Sequence, residues 1–106
     1  MSEVSVVFST VPNPETGAEI ARTLVEERLA ACVNILAGLR SVYHWRGRVE
    51  DDSEALLIIK TTGTRLDRLF ERLKELHPYE VPEMLALPVH QGWPDYLDWV
   101  RTETKT

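Results

Sequence analysis

The sequence has few of the residues that build disulfides, metal–thiolate sites or basic surfaces. Its 106 residues include one cysteine, Cys32, so neither an intrachain disulfide nor a CxxC metal site can form. Because Cys32 lies in the apolar run LAACVNIL, we expect a buried, inert thiol. The net charge is −5 and the Lys and Arg residues are not clustered, which argues against a nucleic-acid partner.

Long apolar runs and recognised catalytic motifs are also missing from the sequence. We find no transmembrane run and no signal-peptide pattern, so we expect a soluble, cytoplasmic protein with no membrane partner. Because no phosphate loop, dinucleotide fingerprint or local pairing of a nucleophile with a base is present, we expect a protein that is not an enzyme. With 43% hydrophobic and 27% charged residues, the composition is that of one globular domain spanning residues 1–106.

The hydrophobic pattern switches between period two and period 3.6 along the chain. Asn13 before Pro14 is typical of a helix start, and the run ALLIIKT indicates a strand that is buried on both faces. The predicted elements are a strand at 4–9, a helix at 14–29, a long strand at 31–49, a strand at 55–61 after a polar EDDS turn, a helix at 64–77, a strand at 84–89 and a short helix that begins at Pro94.

This order of elements predicts an α+β fold, the ferredoxin-like split βαβ sandwich, with a short C-terminal helix added. In that fold both helices cover one face of an antiparallel sheet, and the other face is left open. A straight strand over 31–49 would span roughly 60 Å, which exceeds the diameter of a domain of this size, so the strand must bend or overhang. An overhang that pairs with a neighbouring subunit predicts a closed homo-oligomer.

The segment HPYEVPE, residues 77–83, concentrates polar side chains between two prolines. Pro78 and Pro82 each disfavour helical backbone at the preceding residue, so we expect an extended connector with little freedom. The imidazole of His77, the phenol of Tyr79 and two carboxylates form a mixed nitrogen and oxygen set, which suits a borderline metal or a small polar ligand. The alternative is that the ring of His77 only caps the preceding helix.

Five stretches of the sequence together resemble the CutA divalent-cation tolerance family. They are LVEERLAACVNI (24–35), SVYHWRGRVEDDSE (41–54), LLIIKTT (56–62), HPYEVPE (77–83) and YLDW (96–99). The resemblance implies a ferredoxin-like trimer whose sheets pack around a threefold axis, architecturally similar to the PII signal-transduction proteins. It also implies a role in divalent-metal tolerance, with copper among the metals that family members bind.

The resemblance also bears on which residues would hold the metal. Some bacterial members have a cysteine near the end of the first strand and two consecutive histidines before the proline of the HPY segment, and these are proposed copper ligands. This sequence has Ser9 in place of the cysteine and Leu76 in place of the first histidine, and it keeps only His77. Without a soft thiolate, such a site is biased toward Cu(II) or another divalent cation held by imidazole and carboxylate.

These observations lead to two functional hypotheses. In the first, the protein is a homotrimeric, metal-responsive binding protein in which His77 and Glu83 coordinate Cu(II) or another divalent cation. In the second, it is a PII-like sensor or scaffold, and a cleft between its subunits binds a small metabolite or a partner protein. The residues that we predict to line that intersubunit cleft are Tyr43, Trp45, Lys60 and Tyr79.

Overall fold

The computed structural model describes residues 3–105, and its elements follow the predicted order. The elements are β1 (Val4–Val11), α1 (Pro14–Glu26), β2 (Cys32–Trp45), β3 (Arg48–Thr62), a 3₁₀ turn (Gly63–Arg65), α2 (Leu66–Leu76), β4 (Leu85–Pro88) and α3 (Pro94–Glu103). The strand order in the sheet is β2-β3-β1-β4, and each neighbouring pair is antiparallel. The α+β, ferredoxin-like fold class with a short C-terminal helix is therefore confirmed.

One face of the sheet forms the hydrophobic core together with α1 and α2. The buried side chains that meet there include Val7, Val11, Leu57 and Ile59 from the strands and Ile20, Leu24, Leu69 and Leu73 from the helices. Helix α1 approaches the sheet closely at Gly17, where a Cβ atom would lie 3.1 Å from a methyl group of Leu57. This close approach explains a glycine inside a helix, where it costs about 1 kcal/mol relative to alanine.

Helix α1 begins at the predicted residue and ends earlier than predicted. The side-chain oxygen of Asn13 accepts a backbone hydrogen bond of 2.7 Å from the first turn, as a helix N-cap does. The helix ends at Glu26 because Arg28 adopts a left-handed backbone with φ of 58°. The two backbone N–H groups that follow Arg28 then fold back onto the carbonyl of Leu24, which satisfies the end of the helix.

The long hairpin turns at a different place from the one predicted. The turn is Arg46–Gly47, where φ is 51° and 78°, and positive φ at both central residues is the signature of a two-residue type I′ turn. The EDDS stretch is not a turn but part of β3, where Glu50 lies opposite Tyr43. The prediction was wrong because this end of the hairpin extends beyond the core, so its strands carry polar residues that resemble a turn.

The hairpin both bends and overhangs, which gives the protein its elongated shape of 44 × 25 × 22 Å. The pairing of β2 with β3 is irregular between Leu36 and Leu39, where Gly38 has a φ of 83°. A bulge of this kind bends a strand and increases its twist. The strand predicted at 31–49 is therefore observed as a bent β2 that ends at the turn.

The second face of the sheet carries apolar side chains that neither α1 nor α2 covers. Residues directly opposite in antiparallel strands point to the same face, which places Val6 beside Leu87 and Phe8 beside Leu85. Leu85 is 57% exposed and Leu87 is 45% exposed. The strand predicted at 55–61 to be buried on both faces is thus fully buried only on the helix side of this single chain.

The remaining boundaries differ from the predictions by a few residues. Strand β1 continues to Val11, α2 starts after a 3₁₀ turn rather than at residue 64, and β4 is shorter than 84–89.

Cys32 is the first residue of β2 and is half-buried rather than fully buried. None of the helices in residues 3–105 is long and apolar enough to cross a membrane.

Candidate functional site

A cleft of about 750 Å³ opens between the overhanging hairpin and the HPYEVPE segment. The hairpin forms one wall because its two strands continue past the core, and the proline-bounded segment forms the other. The aromatic rings and carboxylates on these walls are those of Tyr43, Trp45, Tyr79, Glu54, Glu80 and Glu83. The structure thus brings Tyr43, Trp45 and Tyr79 to one cleft within a single chain, and their place at a cleft between subunits stays a prediction.

Lys60, the fourth residue predicted for the cleft, lies elsewhere. It is on the open face of the sheet, where the β2–β3 register places it opposite Cys32 and its Nζ donates a hydrogen bond to Oδ1 of Asn34. This chain's own cleft therefore lacks Lys60. A role for Lys60 at a cleft between subunits stays a prediction.

His77 is buried, and both of its ring nitrogens are engaged in hydrogen bonds. Its Nε2 lies 2.8 Å from the carbonyl oxygen of Thr10, and its Nδ1 accepts a bond of 3.1 Å from the backbone N–H of Tyr79. Because a carbonyl can only accept, the proton is on Nε2 and the ring is neutral. Burial lowers the pKa of His77, although the bond to Thr10 and the charge of Glu54 act in the opposite direction.

This environment bears on the proposed role of His77 as a metal ligand. The ring does not reach the wall of the cleft, and coordination through either nitrogen would break an existing hydrogen bond. In the structure the ring instead fixes the start of the HPYEVPE segment to the end of β1. Coordination of a metal by His77 stays a prediction.

Tyr79 extends this arrangement to a buried carboxylate, that of Glu54. The phenol of Tyr79 donates a hydrogen bond of 2.6 Å to Oε2 of Glu54, whose side chain belongs to a residue only 8% exposed. Burial, followed by the bond to Glu54, raises the pKa of Tyr79, so the phenol stays protonated and continues to donate. The second oxygen of Glu54 accepts no hydrogen bond from any residue between 3 and 105.

The arginines near the cleft are already paired with carboxylates. Arg40 donates through Nε and Nη2 to the two oxygens of Asp51 at 2.9 and 2.8 Å. Arg46 at the hairpin tip donates to both oxygens of Glu80, at 3.0 and 2.8 Å, and its guanidinium lies 5.2 Å from the ring centroid of Trp45. These contacts tie the tip of the hairpin to the HPYEVPE segment and leave neither arginine free to neutralise another carboxylate.

The cleft consequently has an excess of carboxylate charge. Burial, followed by the charge of Glu54, raises the pKa of Glu83, so Glu54 disfavours the ionised form of Glu83. A third carboxylate, that of Asp52, does not line the cleft but accepts a bond of 2.7 Å from the phenol of Tyr43, and it raises the pKa of that phenol to about 12. In the described part of the chain, no Lys, Arg or His forms an ion pair with these three carboxylates. The cleft is therefore suited to a cation.

The donor set that one chain offers to a metal is small. Among the described residues, no group of three or more His, Cys, Asp or Glu side chains is placed to hold a metal ion. Glu54 and Glu83 supply carboxylate oxygens, which suit divalent ions of hard or borderline character. The remaining coordination positions would need water or residues of a neighbouring subunit.

Sequence reasoning missed Glu54, around which the cleft is arranged. Because EDDS was assigned to a turn, the first half of β3 was not predicted as a strand. The face of the sheet to which the Glu54 side chain points was therefore not predicted either. The signal that could have found it is the period of two in a strand, because Glu54 is in phase with Leu56 and Ile58 on the half-buried face.

The fold and the cleft together define a ferredoxin-like α+β protein with a site suited to cations, and comparisons with known proteins give its family. Residues 5–103 match the model of the CutA1 divalent ion tolerance protein family. The divalent-cation tolerance protein CutA of Thermus thermophilus is 56% identical over 99 residues, which cover 93% of this chain and 96% of that protein. The chain belongs to the CutA1 divalent ion tolerance family, and the predicted family and its role in divalent-cation tolerance are confirmed.

Longer relatives and solved structures agree with this assignment. Mouse protein CutA is 50% identical over 103 residues, which cover 97% of this chain but 58% of the mouse protein, so the chain spans little more than half of that relative. The Thermus thermophilus CutA1 structure superposes with a TM-score of 0.93 at 54% identity, covering 96% of this chain and 99% of that one. The Xylella fastidiosa CutA structure has a TM-score of 0.95 at 44% identity, covering 98% and 100%.

A Tyr79→Phe substitution tests whether the phenol stabilises the buried carboxylate. Loss of the hydroxyl leaves Glu54 without its hydrogen bond, so we expect the free energy of unfolding in urea to fall by about 1–3 kcal/mol. The matched control is Tyr43→Phe, which removes a similar bond of 2.7 Å to the exposed Asp52 and should change stability little. Equal losses in the two variants would contradict a special role for the Tyr79 bond.

The burial of neutral His77 predicts a loss of stability in mild acid. Its pKa in the folded state is below the ordinary value of 6.5, so the unfolded chain takes up the proton first as the pH falls. The stabilisation from neutral His77 is thus fully present above about pH 6.5 and is lost as the pH falls through the folded pKa. Urea unfolding at a series of pH values should show this loss in the wild type and a smaller one in His77→Gln. Identical pH dependence of the two proteins would contradict the prediction.

Proposed function

We propose that the protein is a homotrimer that binds a divalent cation without catalysing a reaction, and that it does so in the cytoplasm. The family's role in divalent-cation tolerance supports the choice of ligand. The half-buried, unpaired Cys32 accords with a reducing compartment. The assembly and the cation each rest on a separate feature of the structure.

The proposed assembly is supported by the apolar surface that a single chain leaves in water. The open face of the sheet exposes Leu36, Leu85 and Leu87, and α3 adds the neighbouring rings of Tyr96 and Trp99, whose centroids are 5.6 Å apart. Contiguous exposed apolar surface of this kind marks a protein interface. Burial of this face around a threefold axis would also give the overhanging hairpin a neighbouring subunit to contact.

A Leu85→Glu substitution tests the proposed assembly. A charge on the open face should prevent its burial, so light scattering should give a mass near the 12.1 kDa of one chain, whereas the wild type should give three times that mass. The control is Val25→Glu, a comparably exposed apolar residue of α1 on the other side of the sheet, which should remain a trimer. A monomeric wild type, or a trimeric Leu85→Glu variant, would contradict the proposal.

The proposed cation site is supported by one observation, the unneutralised pair of carboxylates in the cleft. Burial and the charge of Glu54 both raise the pKa of Glu83, and a divalent cation bound at Glu83 would oppose both effects. Glu83 is the stronger candidate ligand, because Glu54 already accepts the bond from Tyr79. Water or a neighbouring subunit would complete the coordination, and His77 would act by positioning the segment.

A copper(II) titration by calorimetry tests this site. We expect one Cu(II) per subunit in the wild type and an affinity at least about tenfold lower in Glu83→Gln, which keeps the shape of the side chain and removes its charge. Glu80→Gln is the matched control, since Glu80 is already neutralised by Arg46. An unchanged affinity in Glu83→Gln would contradict the assignment.

The size and lining of the cleft favour a second candidate function, that of a small-molecule sensor. A cleft of about 750 Å³ is within the range of roughly 300–1,000 Å³ that small organic ligands occupy. Three aromatic side chains line it, and a metal ion alone would not require them. In this function the bound molecule would change how the trimer meets a partner, as in the PII-like hypothesis.

A further inference from the structure

The cleft is lined by three aromatic rings and by the nearly buried carboxylate of Glu54, which accepts a hydrogen bond at only one of its two oxygens. We propose that it binds a primary alkylammonium group, with the ammonium at Glu54 and the alkyl chain against the rings of Tyr43, Trp45 and Tyr79. This inference rests on the sensor function of the cleft and specifies the class of molecule that the sensor binds. It concerns an organic cation, which would compete with Cu(II) for the carboxylates of Glu54 and Glu83, so it is tested in metal-free buffer.

No Lys, Arg or His among the described residues pairs with the carboxylate of Glu54. The residue is only 8% exposed, and a carboxylate buried to that degree is normally paired with a cation. One oxygen accepts the bond from Tyr79, and the other has no donor within residues 3–105. The two arginines that line or border the cleft are paired with Asp51 and Glu80, so a cation that binds Glu54 would come from outside the described residues.

The hydrogen bond from Tyr79 favours an ammonium over a guanidinium. A guanidinium binds a carboxylate most strongly as a planar fork that uses both oxygens, as Arg40 does with Asp51. At Glu54 one of the two oxygens is already held at 2.6 Å by the phenol. An ammonium is compact, needs only the remaining oxygen, and has further donors that can turn toward Glu83.

The aromatic walls favour an organic cation over a bare ion. Tyr43 and Trp45 are 42% and 37% exposed, so their rings have surface available to a ligand. The guanidinium of Arg46 already lies 5.2 Å from the Trp45 ring centroid, which shows that this ring accepts a cation at one face. An alkyl chain next to the ammonium would bury its methylene groups against such rings.

Calorimetry of the full chain in metal-free buffer tests the proposal with three probes of one shape. We expect n-butylammonium to bind at one site per subunit, and n-butanol and n-butyrate to bind at least about tenfold more weakly at the same ionic strength. Glu54→Gln should weaken butylammonium binding by a similar factor. The control Glu71→Gln, on α2 and paired with Arg68, should not.

Trp45→Leu separates this proposal from the copper site and avoids a buried position. It should weaken butylammonium binding several-fold and leave the affinity for Cu(II) unchanged, because no ring contributes to metal coordination. The proposal would be overturned if butanol bound as tightly as butylammonium or if butyrate bound more tightly. It would also be overturned if Trp45→Leu bound butylammonium as tightly as the wild type does. If Glu54→Gln does not fold, the three probes and Trp45→Leu still decide the question. Copper binding without butylammonium binding would overturn this inference and leave the metal proposal intact.

Discussion

The hydrogen bond from Tyr79 to Glu54 is the contact on which the cleft depends. It joins the HPYEVPE segment to the point where the hairpin leaves the core, and it does so at a nearly buried carboxylate. His77 holds Tyr79 in position, because its neutral ring forms hydrogen bonds to a backbone carbonyl near the end of β1 and to the backbone N–H of Tyr79. The buried charge of Glu54 and the fixed position of Tyr79 are thus parts of one arrangement.

The hairpin connects the cleft to the surface that we propose for assembly. Its strands are paired over almost their whole length, but every residue of its outer part from Val42 to Val49 is exposed. That part supplies Tyr43 and Trp45 to the cleft, while the inner part of the same sheet exposes the apolar open face. A trimer would therefore bring neighbouring chains close to the cleft, and ligand binding and subunit contact could affect each other.

The sequence predicts the core of this fold well, because burial imposes a period on the residues. The order of strands and helices, the cap at Asn13 and the apolar stripe of α2 all follow from period two, period 3.6 and helix-start chemistry. The hairpin tip was predicted wrongly because the overhanging strands have no core face to impose such a pattern. Composition alone then made EDDS resemble a turn, although the positive φ values are at Arg46–Gly47.

The site was less predictable than the fold, because its contacts join residues far apart in the chain. The segment 77–83 stood out from its proline spacing, but the partner of His77 is the carbonyl of Thr10, which no side-chain pattern reveals. Likewise, the register of β3 brings Glu54 to Tyr79, and that register was unknown once the turn had been misplaced.

The claim that the cleft's unpaired carboxylates receive a cation can be tested most directly by anomalous diffraction at the copper edge, from crystals of the protein grown with Cu(II). We expect one copper peak per subunit beside the carboxylate of Glu83, in the cleft between the hairpin and the HPYEVPE segment. A copper peak at another surface, with the cleft carboxylates uncoordinated, would contradict it.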